Sequence, residues 1–248
     1  MCTLFIYRSD NTDWPVLIAN NRDEYFSRSF YSPGRHWDSH PYIFAGKDLQ
    51  HGGSWLGVNK YGLCACILNR NSGLLNGTYY KSRGDIVINI LKYKSSKTCL
   101  EYITKDFKNN TKYFNLFISD YKYAFWIKYN EAGLKVSEVP YGYSILDNYD
   151  LNDKKSIKQN IYKKIFMKQK IPNPDINCFK DWKSMLFLEK KHKNIKHSSV
   201  YVQDFNKNYG TVCSSIIGLP DRNRITNNIF WLYSENKNTY KKILPFKN

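Results

Sequence analysis

The 248-residue sequence has no apolar segment long enough to cross a bilayer, no paired cysteine motif and no linker rich in proline, glycine or serine. A membrane-spanning helix needs about 20 consecutive apolar residues, and the longest apolar pieces, such as 123–127, are far shorter. The first residues, 1–8, also lack the basic start and the long apolar core of a secretory signal. We therefore expect a protein that is neither membrane-spanning nor secreted, with one domain over residues 1–248.

The cysteines and histidines give no sign of a disulfide framework or a metal site. Six scattered cysteines without a CxxC pair are typical of a reducing compartment, so we expect a cytoplasmic protein and leave organelle association open. His36 and His40, and likewise His192 and His197, have no cysteine at metal-ligand spacing. They are candidates for axial haem ligands, although histidines in turns are commoner. We predict no metal site and no required cofactor.

Positive charge is in excess and is concentrated in one segment. The chain has 38 basic and 21 acidic residues, a formal net charge of +17. Residues 154–196 contain 13 lysines and three acidic residues, which favours contact with phosphates, an anionic membrane surface or an anionic small ligand. Lysines outnumber arginines 30 to 8, however, a bias that AT-rich coding also produces. No nucleic-acid-binding module is recognised, so nucleic acid is the least favoured partner.

The hydrophobic patterns predict groups of strands separated by pairs of helices. Polar or glycine-containing turns join the early strands into hairpins, and apolar residues recur at helical spacing in the helices. This order favours an α+β domain in which helices pack outside sheets. The predicted strands cover 2–8, 14–20, 54–59, 62–68, 113–119, 123–129, 134–139, 199–203, 211–219 and 228–233, and the predicted helices begin near 82 and cover 96–107, 155–169 and 177–193.

Cys2 is the most specific single feature. A small residue at position 2 allows removal of the initiator methionine, which would expose a residue that carries both a thiol and a free α-amine. The α-amine has a reference pKa of about 7.7–8.0 and can accept a proton near neutral pH. The thiol, with a reference pKa of about 8.5, needs a nearby cation to become a thiolate nucleophile. From position alone, however, a cysteine here is more often a small apolar residue that begins a strand.

The segment Asn-Arg-Asp-Glu at 21–24 changes this balance. It ends the second strand of the hairpin whose first strand begins at Cys2, so we expect it to lie beside the N-terminus. There Arg22 would lower the pKa of the thiol, and Asp23 would hold the protonated α-amine. As an isolated tetrapeptide in a turn, the same residues would be a solvated charge cluster.

Several short motifs, taken together, resemble the NRDE-motif family, also called the Transport and Golgi organisation 2 family. They occur in the family's order along nearly the whole chain, and their combination is highly specific. The matching segments are 1–4, 19–24, 45–49, 52–57, 68–69, 82–84 and 209–211.

This resemblance implies a fold like that of N-terminal nucleophile hydrolases, a four-layer αββα sandwich, with hairpins similar to those of bile-salt and penicillin-V amidases. It implies that Cys2 is the nucleophile, that Arg22 and Asp23 orient the terminal amine and the substrate, and that Asn69 supplies an oxyanion-hole side chain. The motif side chains that become candidates for ligand binding are Asn21, Glu24, Trp55, Arg83 and Tyr209.

The sequence departs from the family pattern at two positions. Where the family has Leu-Ser-Asn, we align the segment 143–145, which puts Ile145 in place of a second oxyanion-type asparagine. A shifted alignment would bring in Asn148 instead. After Tyr-Gly-Thr the family favours arginine, and this chain has Val212. An aliphatic side chain cannot donate a hydrogen bond to developing negative charge, and loss of one oxyanion donor can lower the rate about 10²–10³-fold.

Two functions follow from the resemblance. The first is an intracellular protein that handles or traffics an amphipathic anionic ligand, such as haem as cargo, an acyl-CoA or another lipid. The lysine-rich segment and the 17% aromatic content support it. The alternative is an N-terminal cysteine amidohydrolase or acyltransferase with Cys2 as the nucleophile. Whether the protein is an enzyme stays open at this point, and removal of Met1 is the discriminating observation.

Overall fold

The computed structural model describes residues 1–71, 81–107, 111–189, 199–224, 228–237 and 239–246, without the side chain of Asp106. The chain forms two compact units, the first of Met1–Ser27 with Pro140–Asn248 and the second of Arg28–Val139. The expectation of a single domain over 1–248 stays a prediction. The helical ends predicted for 190–193, together with His192 and His197, lie outside the described residues.

Strands and helices alternate along the described chain in groups, as the hydrophobic patterns indicated. In chain order the elements are β1 Thr3–Arg8, β2 Val16–Tyr25, β3 Phe30–Gly34, β4 Ile43–Asp48, β5 Leu56–Asn59, β6 Cys64–Asn69, α1 Gly84–Ile90, α2 Ser96–Asp106, β7 Phe114–Ser119, β8 Ala124–Asn130, β9 Gly133–Glu138, β10 Gly142–Leu146, α3 Ile157–Phe166, α4 Lys180–Leu186, β11 Gln203–Asp204, a 3₁₀ helix Phe205–Lys207, β12 Tyr209–Leu219, β13 Phe230–Ser234 and β14 Lys241–Ile243.

The first unit is an antiparallel sheet with two helices packed on one face. Its strand order is β10-β1-β2-β12-β13-β14, with β11 beside β12. Because side chains alternate along each strand, Phe5 and Leu17 share the helix-facing side, where they meet Phe166 of α3 and Trp182 of α4. The Phe5 and Phe166 rings lie 5.1 Å apart, and the Phe166 and Trp182 rings are equally close. This aromatic core fixes α3 and α4 against β1 and β2, the strands that carry Cys2 and the segment 21–24.

The second unit repeats this plan with a meander. Its strands β3 to β9 follow one another in sequence order, each antiparallel to the next. Alternate residues of β6 and β7, such as Ala65 and Leu116, pack against Val87 of α1 and Ile103 of α2. Both units are therefore helix-on-sheet layers, the α+β architecture that the predicted order indicated. No helix within the described ranges combines the length and the apolar character needed to cross a membrane.

The structure differs from the predicted elements where tertiary contacts decide. Strands β3, β4, β10 and β14 were not predicted from the local patterns. β4 contains Gly46, which weakens a strand pattern but is needed because a Cβ there would lie 2.3 Å from Cη2 of Trp55. The strand predicted at 199–203 was wrong, since only Gln203–Asp204 pairs with β12. The helix predicted at 177–193 begins later, at Lys180, and ends at Leu186.

Gly53 and Gly84 permit two backbone segments of the second unit to touch. The Ser54 amide donates to the Gly84 carbonyl at 3.2 Å, which ties the turn after β4 to the start of α1. A Cβ on Gly53 would lie 2.4 Å from the carbonyl carbon of Gly84. Since that obstacle is backbone, it cannot rotate away as a side chain could.

We expect Gly53→Ala to lower the free energy of unfolding by about 1–3 kcal/mol, because the added methyl group forces α1 away from the turn. The neighbouring substitution Gly52→Asn is the control, since Gly52 has a φ of +74° and open space around its Cβ position. Asparagine tolerates that conformation, so the control should cost less than about 1 kcal/mol. Urea unfolding followed by circular dichroism measures both, and equal losses would contradict this account of Gly53.

Candidate active site

The β1–β2 hairpin places Cys2 beside the segment 21–24. Its register pairs Thr3 with Asn21, so Cys2 lies next to Arg22 and Asp23. The Asp23 amide donates to Sγ of Cys2 at 3.3 Å, and the thiol lies 3.6 Å from the Asp23 carbonyl oxygen, to which it donates. The predicted proximity of the N-terminus to this segment is thus present in the structure.

The Asp23 carboxylate is held from two sides. Thr211 of β12 donates its hydroxyl to Oδ1 at 2.6 Å, and the Met1 ammonium lies 3.0 Å from Oδ2. The Thr211 hydroxyl in turn accepts from the Val202 amide at 2.9 Å, which fixes its rotamer. Hydrogen bonds and an opposite charge compensate a carboxylate for its removal from water. With Met1 in place, Asp23 thus contacts the α-ammonium group that precedes β1, and its role in catalysis stays a prediction.

A bulge in β12 arranges the residues on the other side of β2. Thr211 pairs with Asp23 and Cys213 pairs with Arg22, which leaves Val212 as the extra residue between them. The family's arginine position after Tyr-Gly-Thr is thus the bulged, half-buried Val212. Paired residues share a face of the sheet, so Cys213 and Arg22 lie on the same face as Cys2. Burial raises the pKa of the Cys213 thiol to about 12, while the Arg22 cation opposes that increase.

Asn148 lies two residues past the end of β10, the strand that pairs with β1. The β10–β1 ladder ends at the pair of Leu4 and Leu146, and Cys2 comes two residues before Leu4. The Asn148 side chain is 7% exposed, and its Nδ2 finds no hydrogen-bond partner among the described residues. A buried, unsatisfied donor is rare in folded proteins. Its position makes Asn148 a candidate donor to a group that binds beside Cys2.

Ile145, by contrast, packs in the helix-facing core, directly opposite Phe5 of β1. The position that our alignment gives to a second oxyanion-type asparagine is thus a core residue. The shifted alignment, which brings in Asn148, stays a prediction. Asp147 anchors this segment to α3, because its carboxylate accepts from the Ser156 hydroxyl at 2.7 Å and from Nε2 of Gln159 at 2.6 Å. This anchoring holds the neighbouring Asn148 in place.

Lys158 is a residue that our reading of the sequence missed. It lies in the first turn of α3, is largely buried, and donates from Nζ to the Met1 carbonyl oxygen at 3.1 Å. A buried ammonium group thus lies beside the peptide bond that precedes Cys2. Little in the sequence marks Lys158 as unusual. It is one lysine of a lysine-rich segment, and only the structure shows that it is buried with its neighbours Ser156 and Gln159.

Asn21 has a different role from its neighbours in the motif. Its Nδ2 donates to the carbonyl oxygens of Leu186 and Val200, at 2.7 and 3.0 Å, and its Oδ1 accepts from the Ser214 hydroxyl at 2.7 Å. The side chain is fully buried. All of these partners belong to the protein, so Asn21 ties β2 to the end of α4 and to β12. Its role in ligand binding stays a prediction.

Glu24 and Tyr209 border the site. Oε1 of Glu24 accepts from the amide of Tyr25, and the Tyr209 hydroxyl donates to the Asp23 carbonyl oxygen at 3.2 Å. Burial, together with the nearby Cys2 and Asp23, raises the pKa of Tyr209 far above its usual range. Tyr209 is therefore a neutral hydrogen-bond donor at physiological pH.

An aromatic surface begins directly after Asp23 and Glu24. Its members are Tyr25, Phe26 and Phe205, and we refer to them as the aromatic patch. Phe205 is 74% exposed, and its ring lies 5.8 Å from that of Phe26. Tyr25 is also exposed and packs edge-on against Tyr209 at 5.4 Å. Apolar side chains are thus available to a ligand beside the polar site.

The other predicted site residues belong to the second unit. Asn69 ends β6 and is exposed. Trp55 packs over Gly46 and lies edge-on to Phe30, with their ring centres 5.5 Å apart. Arg83 precedes α1 and donates to the Tyr113 carbonyl oxygen at 3.0 Å. Their proposed roles in catalysis or binding stay predictions.

The pKa of the Cys2 thiol is raised, chiefly because burial disfavours the thiolate and also because the Asp23 carboxylate is close. The Met1 ammonium, the Asp23 amide and Arg22 act in the opposite direction but do not overcome burial. With Met1 in place, the thiol is therefore protonated at neutral pH. No three His, Cys, Asp or Glu side chains in the described ranges cluster as metal ligands would, and the absence of a metal site stays a prediction.

Solved structures that are similar to this chain include an amidase, an acylase and a hydrolase. An N-acylethanolamine-hydrolyzing acid amidase ortholog from Caenorhabditis elegans matches with a TM-score of 0.58 and 11% identity, over 89% of this chain and 94% of that one. Penicillin V acylase from Agrobacterium tumefaciens matches with a TM-score of 0.52 and 12% identity, over 99% of both chains. The C2A mutant of conjugated bile acid hydrolase from Clostridium perfringens has a TM-score of 0.53 and 12% identity, over 98% of this chain and 92% of that one. At these identities the likeness shows the fold.

The protein therefore has an α+β fold of the N-terminal nucleophile hydrolase-like class, as the sequence motifs implied. The profile of the family Transport and Golgi organisation 2 matches residues 1–228, and the chain belongs to that family. A curated relative, the uncharacterized protein YGR127W of Saccharomyces cerevisiae, is 33% identical over 92 residues, which is 34% of this chain and 28% of the yeast protein.

We expect Asn21→Ala to lower the free energy of unfolding by about 2–4 kcal/mol, because it leaves two buried carbonyl oxygens and one hydroxyl without their partner. Ser214→Ala is the matched control, since it removes only one of the three hydrogen bonds and should cost about 1 kcal/mol. Urea unfolding measures both variants. A cost for Asn21→Ala no larger than that of the control would contradict a structural role for Asn21.

We expect Cys2 of the chain that retains Met1 to react with iodoacetamide more slowly than free cysteine at pH 7–8, since only the thiolate reacts and the pKa of Cys2 is raised. The rate should rise with pH without levelling off below about pH 9. Arg22→Gln should slow the reaction further, because it removes a cation that lowers the pKa. Peptide mass spectrometry assigns the modified cysteine, and Cys2→Ser gives the background. A plateau below about pH 8 would contradict the raised pKa.

Proposed function

We propose that the protein is an N-terminal cysteine amide hydrolase, with Cys2 as the nucleophile after removal of Met1. The observation that carries this proposal is Cys2 beside Arg22 and beside an Asp23 carboxylate that already holds an α-ammonium group, with the unsatisfied Asn148 donor on the segment that follows β10. A nucleophile, a cation, an unsatisfied donor and a carboxylate that orients an amine are the groups that acyl transfer requires.

Loss of Met1 would give Cys2 its own α-amine. That amine would lie within reach of the Asp23 carboxylate, which would orient it, and of the Lys158 ammonium, which now donates to the Met1 carbonyl oxygen. A neighbouring cation disfavours a second positive charge, so Lys158 would oppose the Asp23 carboxylate, which favours the protonated amine. A neutral amine is the form that can accept the thiol proton.

The reaction would then proceed in two balanced steps. The Cys2 sulfur attacks the amide carbonyl carbon while its proton passes to the α-amine; as the C–N bond breaks, the leaving amine takes that proton and a thioester remains. Water next attacks the thioester, which releases a carboxylic acid and restores the thiol. Nδ2 of Asn148 is a candidate donor to the carbonyl oxygen as negative charge develops on it, and Asn69 stays a second candidate.

The substrate class follows from the surroundings of Cys2. The aromatic patch beside Asp23 suits an apolar acyl or ring system, while Arg22 and Lys158 suit an anionic or strongly polar group. The structural neighbours carry names that refer to N-acylethanolamines, conjugated bile acids and penicillin V, which are amides with a large apolar part. An amide with one apolar and one polar end is therefore the substrate that we propose.

A second candidate function is a carrier for an amphipathic anion such as haem or an acyl-CoA. It is favoured by the raised pKa of the Cys2 thiol in the chain that retains Met1, since a protonated thiol is a poor nucleophile. The same cations and the aromatic patch would then bind the ligand without chemistry, in a reducing compartment such as the cytoplasm. In this function haem is cargo and not a cofactor.

The test begins with intact-mass spectrometry of protein prepared with a free N-terminus. If the protein is the hydrolase, Met1 is absent, and fatty-acyl p-nitroanilides, an N-acylethanolamine or penicillin V are turned over. Cys2→Ala then abolishes turnover, and Asn148→Asp lowers kcat about 10²–10³-fold. The matched control is Asn223→Asp, the same chemical change in an exposed turn, which should leave kcat unchanged.

The hydrolase proposal is overturned if the purified protein retains Met1, or if Cys2→Ala still turns the substrate over. Haemin and palmitoyl-CoA titrations test the carrier in parallel. Saturable one-site binding that is preserved in Cys2→Ala and lost in Arg22→Gln/Lys158→Met supports the carrier, while no binding below about 100 μM overturns it.

A further inference from the structure

The outer side of α3 presents lysines and aliphatic side chains in one stripe. The inner side is anchored by Tyr162 and Phe166, which are fully buried in the core of the first unit. On the outer side, Ile157, Lys164 and Lys168 follow one another at spacings of seven and four residues, which places them on one line along the helix. All three are exposed.

The stripe continues past the end of α3 with further apolar groups. The turn after α3 keeps helical hydrogen bonds, since the Met167 amide donates to the Lys163 carbonyl oxygen at 3.0 Å. Met167 is 56% exposed, and Ile171 on the connection to α4 is also exposed. We call Ile157, Lys164, Met167, Lys168 and Ile171 the α3 face. The aliphatic side chains of the α3 face are therefore exposed to solvent and are not part of the core of the first unit.

The charge around this face is strongly unbalanced. Residues 153–183 contain nine lysines and three aspartates. Asp175 is engaged by Arg224, through two hydrogen bonds of 2.6 and 3.1 Å, and Asp181 accepts from the Lys170 amide at 3.2 Å. The lysines of the α3 face therefore have little local compensation.

From this combination we infer that the α3 face docks on the surface of an anionic phospholipid bilayer. Lysines attract the charged headgroups, and the exposed aliphatic side chains of the same segment enter the boundary between headgroups and acyl chains, as in amphipathic helices that lie in a membrane interface. The α3 axis would then lie parallel to the membrane. This inference is independent of the chemistry proposed for Cys2.

The composition of the face distinguishes a bilayer from other anionic partners. Single-stranded nucleic acids are bound by aromatic stacking and by arginine as well as charge, and the α3 face offers neither an exposed aromatic ring nor an arginine. A soluble phosphate would need the lysines alone and would not account for exposed Ile157, Met167 and Ile171. A bilayer satisfies both kinds of side chain at once.

Vesicle co-sedimentation with the full chain tests the inference. Vesicles of phosphatidylcholine with about 30 mol% phosphatidylserine should bind the protein, and pure phosphatidylcholine should not. Each lysine near such a surface contributes roughly a fivefold gain in partitioning, so Lys164→Glu/Lys168→Glu should weaken binding more than tenfold. The matched control, Lys105→Glu/Lys135→Glu, makes the same change in net charge at exposed positions of the second unit and should leave binding nearly unchanged.

A second variant, Met167→Ser/Ile171→Ser, tests the aliphatic groups without altering charge and should weaken binding about tenfold. Circular dichroism confirms that each variant is folded. Equal losses in the two charge-reversed variants would mean that net charge alone binds the vesicles, which overturns the inference. It is also overturned if the unaltered protein does not bind anionic vesicles, binds neutral ones equally well, or uses the α3 face for single-stranded RNA but not for vesicles.

Discussion

The buried Asp23 carboxylate is the group on which the arrangement around Cys2 depends. Its two oxygens face the Thr211 hydroxyl and the α-ammonium group of Met1, while its backbone amide and carbonyl face Cys2 and Tyr209. A charge removed from water is tolerated only when it is fully compensated. Because Asp23 must be compensated, the start of β1, the end of β2 and the start of β12 are held together at this residue.

Strand alternation divides the motif between two tasks. Asn21 and Asp23 point toward the helices, where the first ties the core together and the second holds the amine. Arg22 lies on the opposite face with Cys2, where an electrophile could be received. Because of the bulge at Val212, Thr211 pairs with Asp23 on one face of the sheet and Cys213 pairs with Arg22 on the other. Two residues adjacent in sequence thus act in different chemical environments, because the side-chain period of a strand is two.

Fold class and family membership define the setting of this site without naming its substrate, because one fold supports many chemistries. The chain's own residues add the detail. Lys158 puts a buried cation beside the bond before Cys2, and the aromatic patch provides an apolar surface beside a polar centre. Both features fit a ligand with a polar and an apolar end. The α3 face lies on the outer side of the helix whose first turn carries Lys158, so ligand handling and membrane contact would share one element.

Local sequence was sufficient for the elements that local physics controls. The β1–β2 and β5–β6 hairpins, the helix-facing stripes of α2 and α3, and the proximity of 21–24 to Cys2 all follow from turn residues and side-chain periodicity. The ordered motifs also identified the fold class and the family. Strands such as β10, by contrast, escaped prediction because β10 is stabilised by pairing with β1, more than 130 residues earlier in the chain.

The same reason explains what only the tertiary structure decided about the site. The sequence offered Ile145 or, in a shifted alignment, Asn148 as the oxyanion-type position after residue 142. The ladder with β1 turns Ile145 into the core, where it lies opposite Phe5. Lys158 likewise gained its position from the packing of α3 on β1. Residue types and their order were determined by the sequence alone, whereas the neighbours of Cys2 were determined by long-range strand register and helix packing, which no short segment encodes.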